Sequence, residues 1–411
     1  MSRRRAHVAV GLAAVVVTPL LHWLAFPPTR VHVLAWVAFV PWFIAVRVLS
    51  GRAAAAVSAM TTLIGTYLVS SWLPRAVSVY YAQPVALGIA LFVGAWTVTL
   101  APWFLAFTAC YRTIARRFTA GLPFLVAAAW AAGELGRVRL TGDPFALFGY
   151  SQADVLQLIQ IADLTGVYGV GFLLVAVNTA LAEICLQATS RGRAPGRVVA
   201  GLITSVAAVA LALGYGLWTL RQAPDRPVPA TPVAIAQANL DLGSQWRQEL
   251  YGRNLEEYMR LTAQAAASGP PALVVWPESA MTFFVEDEPL YRASLASVLA
   301  PRRLQLLAGG VRAVGSEEPR YYNSAFVIGA DGTVAAHYDK QRLLPFAEYF
   351  PFASIALLRR EFARVREFTP GGPAALLPTV AGPAGIAICN EALFPEMVGD
   401  RVRAGAAFLV N

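Results

Sequence analysis

The chain has 411 residues, a formal net charge of +9, 57% hydrophobic and only 14% charged residues, and a mean hydropathy of +0.54. That excludes an ordinary soluble globular protein and leaves room for more than one domain. The basic residues do not cluster in the polar part of the chain, which argues against a nucleic-acid partner and for a membrane.

The apolar excess lies in the first half. Long charge-poor runs at about 8–26, 31–49, 54–73, 84–109, 121–136, 160–186 and 197–219 each approach the ~20 apolar residues that a helix needs to cross the hydrocarbon core. Residues 1–220 are therefore expected to form a multi-pass α-helical membrane bundle of about seven helices. The first run lacks a small-x-small cleavage site, and "SRRR" suits a cytoplasmic start. Cytoplasmic loops carry the Lys/Arg excess. With the N-terminus inside, Arg3, Arg4, Arg5, Arg47, Arg52, Arg112, Arg116, Arg117, Arg191, Arg193 and Arg197 fall inside, and only Arg30, Arg75, Arg137 and Arg139 fall outside. An odd number of crossings then carries everything after Trp218 to the extracytoplasmic face.

A Pro-rich linker, "RQAPDRPVPATP" at 221–232, separates this bundle from a stretch of different texture at 233–411. "VAIAQANL" and "ALVVW" are short β-type runs, and Tyr251, Leu255, Tyr258 and Thr262 between them recur at helical spacing. A helix near 287–300 follows, then strands at 304–310, 323–329, 333–339 and 384–388, and a helix at 394–403. The order predicts a soluble α/β domain.

Of three cysteines, Cys110 and Cys185 belong to the apolar runs, and Cys389 alone lies in the α/β stretch. An unpaired thiol on an oxidising side of a membrane is either a reactive group or a small core residue. Glu278 in "VVWPESAM" and Lys340 in "HYDKQRLLPFAEYFPF" each follow a strand, and so does Cys389. Singly, they read as a loop carboxylate, a solvated charge with Glu348 as its partner, and a packed thiol. Together they occupy the strand ends where open α/β folds assemble sites. The four His and scattered carboxylates show no metal-ligand spacing.

"WPES", "YDKQRLLPFAEYFP" and "AICNEALFPE", in this order, resemble the Glu, Lys and Cys motifs of the nitrilase superfamily. With a membrane bundle in front, and with "WAAGELGR", "PFALFGYSQ" and "LTGVYGVGFLLVAVN" inside it, the chain resembles the apolipoprotein N-acyltransferase family. The resemblance implies an α-β-β-α sandwich for 233–411, with Glu278, Lys340 and Cys389 as catalytic residues. It gives Trp246 a functional role, and Glu348, Asn390, Glu391, Phe346 and Tyr349 are expected to support the site or bind substrate. It implies a phospholipid acyl donor, a Cys389 thioester, and the α-amino group of the N-terminal diacylglyceryl-cysteine of a bacterial lipoprotein as acceptor. No cofactor is required, since thioester to amide runs downhill. The implied location is the bacterial inner membrane with the catalytic domain on the periplasmic face.

Two departures stand out. Asn390 occupies a position that is commonly aromatic in the family, and the sequence ends at "AAFLVN", where the family continues. On that ground the C-terminal part of the sandwich is expected to be missing and these 411 residues to transfer little by themselves. The apolar segment Leu343–Leu358, with Phe346, Tyr349, Phe350 and Phe352, reads either as packing under a lid or as an arm dipping into the interface. Alternatives from other classes are a membrane-anchored amidase or nitrilase-type hydrolase using water, and a non-catalytic membrane protein.

Overall fold

The computed structural model describes residues 3–81, 83–189, 196–222, 231–240, 251–267, 269, 272–345, 347–350, 367–373 and 375–411. The chain divides into two compact units, Met1–Asp225 and Arg226–Asn411.

The first unit is helical. Its helices are α1 (Arg3–Ala25), α2 (Val40–Val48), α3 (Gly51–Val69), α4 (Trp72–Tyr81), α5 (Val85–Ala95), α6 (Ala101–Arg117), α7 (Leu122–Thr141), the single turns α8 (Leu156–Ile159) and α9 (Ala162–Thr165), α10 (Val167–Thr189) and α11 (Gly196–Arg221). Among the described residues five segments are long and apolar enough to cross a membrane: Arg4–Ala25, Gly51–Val69, Val85–Arg117, Val167–Ala188 and Gly196–Arg221.

Two of the expected runs take other forms. The run at 31–49 is a 3-10 turn, His32–Trp36, followed by the nine-residue α2, because Asn178 ties down the chain at the break. The Asn178 amide donates to Ala35 O at 2.9 Å and its Oδ1 accepts from Phe39 N at 2.8 Å. The run at 121–136, which holds Glu134, extends to Thr141 and takes in Arg137 and Arg139. Glu134 and Arg137 turn inward: Glu134 accepts from Phe148 N at 2.9 Å, and Arg137 donates to Asp143 O at 2.7 Å and Phe145 O at 3.2 Å. One turn of α7 thus clamps the following loop through Arg137 and one oxygen of Glu134. Around it the core is aromatic, centred on Phe39 stacked on Phe148 at 4.1 Å, with Trp42 and Trp130 beside them.

The second unit is layered. A five-stranded sheet runs in the order β1 (Val233–Ile235), β2 (Leu273–Val275), β3 (Gln305–Val314), β4 (Arg320–Ile328), β5 (Val334–Asp339), the first three parallel and the last two antiparallel. A three-stranded sheet holds β6 (Leu377–Thr379), β7 (Gly382–Ile386) and β8 (Phe408–Val410). Helices α12 (Tyr251–Ala267) and α13 (Pro289–Leu299) cover one face of the larger sheet, through Leu255, Tyr258, Leu295 and Leu299 against Val274, Leu306 and Phe326. Its other face packs Leu273, Leu307 and Val327 against Leu377, Ala384 and Ile386 of the smaller sheet. The last helix, α14, spans Pro395–Arg403. Alternate residues of β2 and β3 therefore enter different cores, as period-2 strands in a sandwich must.

Candidate active site

Strands β2 and β5 of the larger sheet and β7 of the smaller end at the same place. Pro277 stops the β2 ladder after Trp276, whose N–H donates to Leu307 O at 2.9 Å. Glu278 follows directly, its backbone pressed onto β3 at Gly309. A Cβ on Gly309 would lie 2.7 Å from Glu278 Cα, so only glycine allows this approach. Lys340 follows β5. Its N–H donates to Asn323 O at 2.8 Å, and its carbonyl accepts from Gly371 N at 2.8 Å. Cys389 sits beyond β7 at the start of the 3-10 turn Cys389–Leu393, with φ at +55°, a left-handed conformation that a non-glycine residue seldom adopts.

The side chains converge. Lys340 is 1% exposed, and its Nζ donates to Glu348 Oε1 at 2.9 Å and lies 2.8 Å from Oε2. Asn323 donates from one amide nitrogen to Glu278 Oε1 at 2.8 Å and to Glu348 Oε1 at 2.7 Å. The second oxygen of Glu348 accepts from Leu344 N at 2.7 Å. Lys340 and Glu348 are thus buried together as a close pair. The Cys389 side chain is exposed on one side. Burial of the remainder still has the largest influence on its thiol and pushes it above the ordinary value. The Glu278 carboxylate pushes the same way, and the Lys340 ammonium and the Asn390 N–H oppose them.

Glu391 holds the turn that carries Cys389. It is fully buried, and both oxygens accept from Tyr338 Oη at 2.9 Å. Oε1 also accepts from Gln341 N at 2.7 Å and Arg342 N at 3.0 Å, and Oε2 from Ile388 N at 2.8 Å. One carboxylate thus joins the loop after Lys340 to the turn that carries Cys389, and with every oxygen occupied it supports the site instead of facing a substrate. Arg401 reinforces it by donating to Tyr338 Oη at 2.9 Å and Ile386 O at 3.0 Å.

Of the other expected residues, Asn390 is buried, with its Oδ1 lacking a hydrogen-bond partner among the described residues, and Tyr349 is half-buried. Trp246 and Phe346 lie outside the described residues, as does most of the apolar segment 343–358. Asn323, Tyr338 and Arg401 did not emerge from the sequence. The signal for Asn323 was the polar pair Asn323–Ser324 inside an otherwise apolar strand.

A family model described as the apolipoprotein N-acyltransferase N-terminal domain matches residues 19–180, and one described as carbon-nitrogen hydrolase matches 232–411. The apolipoprotein N-acyltransferase of Geobacter metallireducens is 32% identical over 403 residues, covering 96% of this chain and 76% of its own length. The chain belongs to the apolipoprotein N-acyltransferase family. It is thereby a multi-pass bacterial membrane protein of an acyltransferase family, with a nitrilase-type second unit. The relative from Bradyrhizobium diazoefficiens is 34% identical over 316 residues, 72% of this chain but 56% of that protein, so the chain spans about half the length of some relatives. Among solved structures, a carbon-nitrogen hydrolase from Helicobacter pylori G27 is 21% identical over 43% of this chain and 57% of that one, with a TM-score of 0.30. An amidase from Nesterenkonia sp. is 20% identical over 46% of this chain and 66% of that one, with a TM-score of 0.32.

Proposed function

We propose that the chain carries the acyl-transfer chemistry of its family: an acyl group passes from a phospholipid to Cys389 as a thioester, then to the α-amino group of the N-terminal diacylglyceryl-cysteine of a lipoprotein. The observation that carries this reading is the meeting of Glu278, Lys340 and the Cys389 thiol at the ends of separate strands, with Asn323 and Glu348 fixing the first two.

A thiol held above its ordinary value is protonated at rest, so attack requires a base. Glu278, with one oxygen occupied by Asn323, takes that proton as sulfur adds to the ester carbonyl. An ammonium has three donors, and Lys340 spends part of that capacity on Glu348; the remainder and the Asn390 N–H meet the developing oxyanion. Collapse expels the lysophospholipid oxygen, which takes the proton back from Glu278. In the second half the amine adds to the thioester, loses a proton to Glu278, and the thiol is regenerated as the amide leaves. We place the bundle in the inner membrane and the catalytic unit on the extracytoplasmic side, on the Arg asymmetry of the sequence.

The test is intact mass after incubation with phospholipid micelles, followed by addition of a diacylglyceryl-cysteine peptide. One acyl adduct on Cys389, discharged as an amide on the peptide, is expected. Free fatty acid released at the same rate with and without peptide would show a hydrolase using water, and no adduct at all would overturn the nucleophile.

A further inference from the structure

In the membrane unit, α1 and α3 run side by side in the same direction: Gly11 faces Val57, and Pro19 faces Gly65. Small residues at Gly11 and Ala53 leave a groove of about 570 Å³ between the helices. Its sides are apolar, with Val8, Leu12 and Met60 each more than half exposed, and Arg4 and His7 stand at one end.

From Arg4 to Val15 an α-helix rises about 16 Å. One leaflet is half of a hydrocarbon core of about 30 Å. The groove therefore has the length of one leaflet and a cationic head. The first turn of α3 lies at the same end, adding Arg52 and the positive end of a 19-residue helix. The first acidic residue of the chain is Glu134, and among the described residues no carboxylate pairs with Arg4, Arg5 or Arg52.

We infer that the groove between α1 and α3 binds one anionic phospholipid, with its phosphate at Arg4 and His7 and an acyl chain lying along Gly11 and Met60. A zwitterionic lipid supplies the same chain but brings a cationic group to Arg4, so the charge argues for the anionic class. By the Arg asymmetry this end of the groove opens to the cytoplasmic leaflet. Occupation of the groove is independent of the acyl-transfer reading, since no proposed catalytic residue lines it.

The experiment is native mass spectrometry of the delipidated full chain in detergent, titrated with dioleoyl phosphatidylglycerol or dioleoyl phosphatidylcholine. One phosphatidylglycerol per chain is expected to bind at least about fivefold more tightly than phosphatidylcholine, and Arg4→Gln is expected to remove about that factor, as loss of one interfacial cation should. Arg4→Lys should keep it. Gly11→Leu, which fills the groove, should weaken both lipids. Because Arg4 is exposed, its variants test the site even if Gly11→Leu fails to fold. Equal binding of the two lipids, an unchanged preference in Arg4→Gln, or displacement of the lipid by inorganic phosphate alone would overturn the assignment.

Discussion

Asn323 lies 45 residues beyond Glu278, on β4, yet its amide reaches that carboxylate at 2.8 Å. The same nitrogen holds Glu348, so one neutral side chain keeps two carboxylates apart and aimed. In Asn323→Ala, Glu278 loses the donor that orients it, and Cys389 acylation is expected to slow about tenfold or more. Asn323→Asp places a third carboxylate among the first two, which raises the pKa of the base. The acid limb of the acylation rate should move to higher pH in both variants, because alanine removes a hydrogen bond to the charged carboxylate, and it should move further in the Asp variant, which adds a like charge as well. Identical profiles for the two would mean that Asn323 acts only through packing.

The Lys340–Glu348 pair makes opposite demands on stability and chemistry. Lys340→Met leaves the Glu348 carboxylate buried without its cation, at a cost of about 3–5 kcal/mol. Acylation should fall by about 100-fold or more as the oxyanion loses its donor. Lys340→Met combined with Glu348→Leu should recover part of the stability, because no buried charge is left unpaired although Asn323 and Leu344 N lose an acceptor, while acylation stays lost. Thermal unfolding in detergent micelles and single-turnover acylation read the two effects separately. Recovery of acylation in the double variant would remove Lys340 from the chemistry.

Cys389 gives a test in which two readouts move in opposite directions. Its thiol lies above the ordinary value, so alkylation by iodoacetamide should rise with pH later than for a free cysteine. Glu278→Gln removes a negative charge that favours the protonated thiol. The pKa then falls, and alkylation at neutral pH speeds up. Acylation by phospholipid, which needs the lost base, should slow by about 100-fold. A Glu278→Gln variant that slowed both reactions alike would show that the carboxylate does not act on the thiol.

Much of this site is visible in the sequence because Glu278, Lys340 and Cys389 stand where strand patterns break. Glu278 follows Pro277 at the end of an apolar run, and Lys340 and Cys389 follow runs of the same kind. What was hidden depends on pairing. Asn323 is set by the β4–β5 register, in which Ser324 faces Asp339, and no local spacing specifies that. The strand β6 contains Pro378, and β8 is three residues long, so neither carries an alternation to read. In the membrane unit hydropathy found the apolar run at 31–49 but not its break, because the break is held by Asn178 from α10. Hydropathy sums side chains and is blind to a polar group that reaches in from another helix.

Topology is the last expectation and the one that decides which substrates Cys389 can meet. The Arg asymmetry puts residues after about 220 outside. Ser316 is exposed in the β3–β4 turn of the second unit, so a cysteine there reports the side of the membrane without disturbing a core. All three native thiols are free, and each must first be replaced by serine to silence the background. In that background Ser316→Cys should react with a membrane-impermeant maleimide in cells whose outer barrier alone has been permeabilised. A cysteine at Arg116, in the last turn of α6 and on the side assigned to the cytoplasm, should react only after the inner membrane is lysed. The reverse pattern would put the catalytic unit in the cytoplasm, where a lipoprotein N-terminus that has already crossed the membrane is out of reach.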